Sequence, residues 1–218
     1  KDNLTAIHEG AIARLLSAAK SRDIRIVQIS AAGAHEGAAT EFLRSKARGD
    51  ALIASQAEDW VILRPTLVIA PEAYGGTGLL RAAAALPGFN ASIFPESRVQ
   101  TVSLEDVTSA VTKAALHEVP SGTIADLTEE QSRTLSETLR MLRRWPGYSP
   151  SHLTVPVPNI FLKAIGRVAD ALGYLGWRSP LRTTAIKTLK TGVTGSSKLW
   201  EELTGSIPRS FAETLKQL

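Results

Sequence analysis

Apolar residues at positions 4, 7, 11, 15 and 18–19 recur at helical spacing and predict a helix over residues 4–20. A β-branched run follows at 25–30 (Arg-Ile-Val-Gln-Ile-Ser) and reads as a strand. Two glycines within 31–37 mark a loop at its carboxyl end, and residues 40–56 return to helical spacing. Residues 60–64, Trp-Val-Ile-Leu-Arg, are almost wholly apolar, as a strand covered on both faces should be. Pro65 is expected to stop it. Helix, strand, helix, strand is the signature of an α/β fold with a parallel sheet and a right-handed crossover. In open sheets of this kind ligands sit beyond the carboxyl ends of the strands, which directs attention to residues 30–37 and 65–78.

Further along, the pattern predicts a short Ala-rich helix at 79–86 and short strands at 91–94 and 99–102. A helix over 104–117 is expected to start at Ser103 as N-cap, with Asp106 at N3 in a box-like arrangement. A strand at 122–127, a helix at 134–144 and an extended segment at 153–157 follow. Residues 159–172 are amphipathic, with Ile160, Phe161, Ala164, Ile165, Val168 and Leu172 on one face. That face is expected to bury against its own domain or a partner. A helix of this length rises only about 21 Å, short of the roughly 30 Å hydrocarbon core of a bilayer. The tail reads as three short helices broken at 192–195 and 205–208. The irregularly spaced Trp60, Trp145, Trp177 and Trp200 read as packing anchors.

Composition narrows the class. The chain has 218 residues, 44% hydrophobic and 21% charged, which excludes wholesale disorder. No apolar run reaches 18 residues, and no charged-then-apolar leader follows Lys1. Cysteine is absent, which excludes disulfides and cysteine-based metal or nucleophile sites and agrees with a cytoplasmic setting. The net charge of +4 is uneven: residues 1–132 carry 12 Lys/Arg against 16 Asp/Glu, and residues 133–218 carry 13 against 5. The basic part suits a solvated face, a phosphate ligand, an acidic partner or an anionic membrane surface, in that order of simplicity. No nucleic-acid motif accompanies it. The histidines at 8, 117 and 152 lack metal-ligand spacing, and His35 stands alone in a loop.

The densest constellation is Ser30-Ala31-Ala32-Gly33, then Phe42-Leu-Arg-Ser-Lys46, then Arg64-Pro65-Thr66. In this order and spacing the chain resembles the short-chain dehydrogenase/reductase superfamily, specifically its atypical, extended NAD(P)-binding members. These include nucleoside-diphosphate-sugar-epimerase-like proteins and the NADPH-binding accessory subunit of mitochondrial complex I. VQTVSLEDVTSAV, GTIADLT and VPVPNIFLKAIGRVAD follow the same family's order, so the resemblance runs from about Gly10 to the C-terminus. It implies a Rossmann-like doubly wound sheet over residues 1–132 and a mostly helical substrate-side region over 133–218. It also implies a cofactor, NAD or NADP, held by Ser30, Ala31, Ala32, Lys46, Pro65, Thr66, Leu67 and Val68. The substrate would be a small carbonyl or hydroxyl compound or a nucleotide-sugar.

The family uses a tyrosine as acid/base, a lysine four residues later that bonds the nicotinamide ribose, and a serine that orients the substrate oxygen. Here the lysine is Lys46, the serine Ser30, and the tyrosine position is Phe42. A phenyl ring has no ionisable proton, so the usual chemistry is interrupted at that position. Tyr74 is the nearest other phenol in sequence, and Ile7 stands where relatives often carry a bracing asparagine. The dinucleotide fingerprint is absent, and Gly75-Gly76-Thr77-Gly78 lacks its spacing. About three strands of the family's sheet are therefore expected ahead of Lys1, without which the 25–30 strand would expose an edge. Two functions remain open: an NAD(P)-dependent oxidoreductase or epimerase-like enzyme, and a non-catalytic nucleotide-binding accessory protein that docks to a partner or membrane surface.

Overall fold

The computed structural model of the chain describes residues 3–20, 22–72, 75–149, 153–174 and 183–218. A π-helical turn (Ala6–Gly10) runs into α1 (Ala11–Ala19), followed by β1 (Arg25–Ile29), α2 (Glu41–Gln56) and β2 (Asp59–Pro65). Next come β3 (Leu67–Ile69), α3 (Gly75–Ala84), β4 (Asn90–Ser92), β5 (Arg98–Val99) and β6 (Thr101–Ser103). Then follow α4 (Leu104–Ala115), β7 (Thr123–Leu127), β8 (Arg133–Thr134), α5 (Leu135–Arg144) and β9 (Thr154–Pro156). The tail holds α6 (Asn159–Tyr174), α7 (Thr183–Thr191), α8 (Lys198–Thr204) and α9 (Phe211–Gln217).

β2 lies between β1 and β7, all parallel, with Ile29 opposite Leu63 and Arg64 opposite Asp126. Alternation along β2 sends its side chains to two separate cores. Ile62 packs with Ile12, Leu16, Ile26 and Ile53, under α1 and α2. Val61 and Leu63 pack with Val107, Ala110, Ala114 and Trp200, under α4 and α8. This is the doubly covered parallel sheet of a Rossmann-like α/β fold. A third core joins Ile69, Leu80 and Val99 to Leu135, Leu139, Leu142, Leu189 and Phe211. Trp60 and Trp145 are half-buried beside these cores, Trp200 is buried, and Trp177 lies outside the described residues.

Pro65 is the last residue of β2, as expected; after Thr66 the backbone shifts sheets and continues as β3, parallel to β6. Proline is tolerated there because the pairing uses its carbonyl, which accepts from Ala32 N, and needs no N–H from it. One expectation needs correction: the apolar face of α6 is not buried against its own domain. Ile160, Phe161, Ile165 and Val168 are exposed, whereas Leu162, Gly166 and Ala169 are covered. A Cβ on Gly166 would lie 3.1 Å from Ile186 Cδ1 and from Thr183 Oγ1, so this small-residue stripe docks on α7 by close approach. The start of α4 is half the expected box. Ser103 accepts from Asp106 N, but the Asp106 carboxyl bonds Arg209 N instead of reaching back. A full box appears at α5, between Thr134 and Glu137.

Candidate functional site

Thr40 caps α2, its Oγ1 accepting from Leu43 N, and this fixes the helix register against the sheet. Phe42, Lys46 and Asp50 then fall on one face at intervals of four. That face meets the carboxyl end of β1. Lys46 Nζ donates to Ile29 O at 3.1 Å and lies 5.6 Å from the Phe42 ring centroid. Burial lowers the Lys46 pKa, and the Asp50 charge opposes that shift. Ser30, one residue beyond the carbonyl that Lys46 holds, is buried, and its Oγ donates to Asp50 Oδ2 at 2.8 Å.

The same oxygen accepts from Arg64 Nε at 3.2 Å and Nη2 at 3.0 Å. Asp50 Oδ1 is buried and has no hydrogen-bond partner. Ser30, Asp50 and Arg64 therefore tie β1, α2 and β2 together through one carboxylate oxygen. Because the Ser30 hydroxyl proton is committed to Asp50, Ser30 offers a ligand lone pairs only.

The following loop runs beside the end of β2: Ser30 N donates to Leu63 O at 2.8 Å and Ala32 N to Pro65 O at 3.0 Å. Gly33 takes a positive φ of 79° there, and Ala34 N closes a turn onto Ala31 O. Ser30, Ala31, Ala32, Phe42, Lys46 and Pro65 thus assemble at one strand edge. Thr66 does not join them through its side chain, since its hydroxyl is buried and donates to Thr128 Oγ1 at 3.1 Å. Leu67 and Val68 pack their half-buried side chains into two different cores, leaving only backbone toward the site. Tyr74 lies outside the described residues, and His35 is exposed.

Three groups escaped the sequence reading. His8 Nδ1 lies 2.8 Å from Ser45 Oγ, and its ring meets Phe42 edge-on at 5.6 Å. Ser45 Oγ also lies 3.0 Å from Phe42 O, so the hydroxyl bridges the His8 ring and the α2 backbone. Burial and then the Lys46 charge lower the His8 pKa, opposed by Glu9 and Asp50. Asp50 itself lies four residues after Lys46, a spacing that could have flagged it. Asp126, opposite Arg64, has its pKa raised by burial, against a hydrogen bond from Ser196 N and the Arg64 charge.

Two cavities stand apart from this cluster. One of about 830 Å³, lined by Leu16, Lys20, Ile26, Gln56 and Asp59, opens near the amino ends of β1 and β2, away from the carboxyl edge. Another of about 580 Å³ is lined by Ser92, Phe94, Arg98, Asn159, Lys190 and Thr194. Gln100 bridges toward it, accepting from Leu67 N and donating to Val193 O. Phe94 adopts φ 44° at its rim, a conformation unusual for a bulky residue. Among the described residues there is no cluster of three or more potential metal ligands.

No family model matches the sequence, and no curated protein does. Solved structures do match over nearly the whole chain. The enzyme WbmG of Bordetella bronchiseptica, in complex with NAD, has TM-score 0.69 at 14% identity, covering 99% of this chain and 65% of that one. A nucleoside-diphosphate-sugar epimerase from Staphylococcus aureus has TM-score 0.70 at 15% identity, covering 94% and 69%. An NADPH-dependent quinone oxidoreductase from Escherichia coli, complexed with NADPH, has TM-score 0.69 at 16% identity, covering 94% and 70%. The fold is that of these Rossmann-like proteins, whose named activities differ from one another.

Proposed function

We propose that this chain supplies the nicotinamide-side part of an NAD(P)-binding protein acting on a carbonyl–alcohol pair, in the manner of the atypical short-chain dehydrogenases/reductases. The observation that carries the reading is Lys46, whose ammonium sits at the carboxyl end of β1 beside Ser30, on the same helix face as Phe42. One of its three N–H donors serves Ile29 O, so two remain for a ribose diol. This donor set fits the ribose of a nicotinamide nucleotide. Among the described residues no equivalent donor set faces a diphosphate: the Gly75-Gly76-Thr77-Gly78 run lies within the first turn of α3.

When bound, the nicotinamide would exchange a hydride with the substrate carbon. Lys46 would hold the ribose, and Ser30 would accept a hydrogen bond from a ligand N–H or O–H. His8, whose lowered pKa keeps it neutral through the ordinary histidine range, packs edge-on against Phe42 and would be the group that exchanges the proton. The 580 Å³ cavity, with Arg98 and Lys190 in its wall, suits a substrate bearing phosphate, such as a nucleotide-sugar. In support, WbmG has been captured with both NAD and UDP.

The open side of β1 supports a further part of the reading. Among the described residues β1 pairs on one side only, and Ile24 and Ile29, at its two ends, are exposed. We place the glycine-rich strand–turn–helix of the same domain there, completing the part formed by residues 1–132, with residues 133–218 as the substrate-side region. A non-catalytic role for the bound nucleotide is the second reading. It is favoured by Phe42 and by the commitment of the Ser30 proton to Asp50.

Titration of NADH or NADPH fluorescence against the full-length protein and its Lys46→Met variant tests the reading. Loss of two charge-assisted bonds at about 1.5–3 kcal/mol each predicts at least tenfold weaker binding in the variant. Absence of binding to both cofactors, or equal affinity in the variant, contradicts it. A carbonyl panel then separates turnover from binding alone.

A further inference from the structure

The proposed function leaves the exposed face of α6 unassigned. Ile160 is 73% exposed, Phe161 61%, Val168 60% and Ile165 42%. Taken at 100° per residue, these side chains and Ala164 fill one arc of about 140° around the helix. Gly166, which lies close against Ile186 and Thr183 of α7, and the buried Leu162 and Ala169 occupy the next sector. Lys163 and Arg167, both exposed, border the apolar arc on its other side. Leu153 and Val155, just ahead in the chain, are exposed as well. Isolated surface leucines are ordinary, but several large apolar side chains on one short stretch mark an interaction surface.

Charge identifies the occupant. Residues 145–200 contain seven Lys/Arg and one acidic residue, Asp170. That carboxylate is already engaged by the Thr183 hydroxyl. On the neighbouring helix Lys187 and Lys190 are exposed. An apolar arc edged by lysine and arginine, with no free acid on the helix, matches the boundary of an anionic bilayer. The arc enters the acyl region while the basic side chains extend to the headgroups. Two identical patches would bring like charges together, which disfavours a second copy of the chain. α6 spans about 24 Å, and among the described residues no helix is long and apolar enough to cross a membrane, so contact with a bilayer would be in the interface plane.

We infer that α6 is a peripheral docking helix for anionic lipid surfaces, holding the molecule at the membrane through Ile160, Phe161, Ile165 and Val168. This inference is independent of cofactor binding and needs no catalytic activity.

The absence of cysteine permits a clean experiment. Ile165→Cys is labelled with an environment-sensitive fluorophore and mixed with phosphatidylglycerol/phosphatidylcholine vesicles or with pure phosphatidylcholine vesicles. The label should blue-shift with the anionic vesicles only, and the shift should diminish in high salt. In co-sedimentation, Phe161→Glu should weaken anionic-vesicle binding at least tenfold while leaving the circular dichroism spectrum unchanged. The inference is overturned by no response to anionic vesicles, or by an equal response to both vesicle types. It is also overturned by a blue shift that grows with protein concentration alone, which would assign the face to self-association.

Discussion

Asp50→Asn perturbs the junction of β1, α2 and β2 without changing its shape. In the native protein Asp50 Oδ2 receives Ser30 and both Arg64 donors, while Oδ1 is buried without a partner. The amide keeps one oxygen for these donors but must place its NH2 where Oδ1 stands. A buried unsatisfied donor costs about 1–3 kcal/mol. The three bonds from Ser30 and Arg64 become bonds to a neutral acceptor, and the loss is moderated because the Arg64 side chain is 23% exposed. The sum is about 3 kcal/mol, which in a protein of this size lowers Tm by roughly 6–12 °C. Urea unfolding of Asp50→Asn, Arg64→Met and the double variant measures it. The double variant should be less damaged than the sum of the singles by at least about 1 kcal/mol, because removing both partners leaves no unpaired charge. A cost under about 0.5 kcal/mol for Asp50→Asn, or strict additivity, would refute the linkage through Oδ2.

Other outcomes follow from the same geometry. Gly49→Ala places a Cβ against the His8 carbonyl oxygen and 2.7 Å from Ile12 Cδ1, so it should destabilise by about 2 kcal/mol or more. Gly76→Ala, with nothing within 4 Å, should stabilise α3 by about 0.5–1 kcal/mol; thermal melts of the pair check both. His8 has a folded pKa below its unfolded value, so its contribution to stability is present above about pH 6.5 and is lost as pH falls through that range. His8→Gln should flatten that part of the stability–pH curve, and an unchanged curve would contradict the buried, neutral histidine. Phe42→Tyr restores an ionisable group on the α2 face beside Lys46 and should raise NAD(P)H-dependent carbonyl reduction at least tenfold; no gain favours the non-catalytic reading.

Much of the framework is legible from local pattern. The alternation of Val61, Ile62 and Leu63 is enough to demand cover on both faces, and the structure supplies α1 and α2 on one side and α4 and α8 on the other. Thr40, Thr134 and Ser103 mark helix starts because capping is chemistry within three residues. What local pattern misses is pairing across distance. β3 exists because Leu67–Ile69 finds β6 more than 30 residues later, and Pro65-Thr66 alone reads as a stop. α6 misleads because its strongest apolar arc is not its docking face. Gly166 and Ala169 win the intramolecular contact by permitting close approach, which a hydrophobicity pattern undervalues. At the site, Lys46 and Ser30 are visible through spacing, whereas Ser30–Asp50 and His8–Ser45 depend on how helices seat against the sheet. His8 has no metal-ligand spacing to mark it, and its partner is a hydroxyl on the next helix.

The most direct test of the central claim is a crystal structure of the full-length protein grown with NADP⁺ or NAD⁺. The account predicts the nicotinamide ribose hydroxyls within about 3 Å of Lys46 Nζ, at the carboxyl ends of β1 and β2, with the ring beside Phe42. A dinucleotide bound elsewhere, with Lys46 still engaged only by Ile29 O, would contradict it.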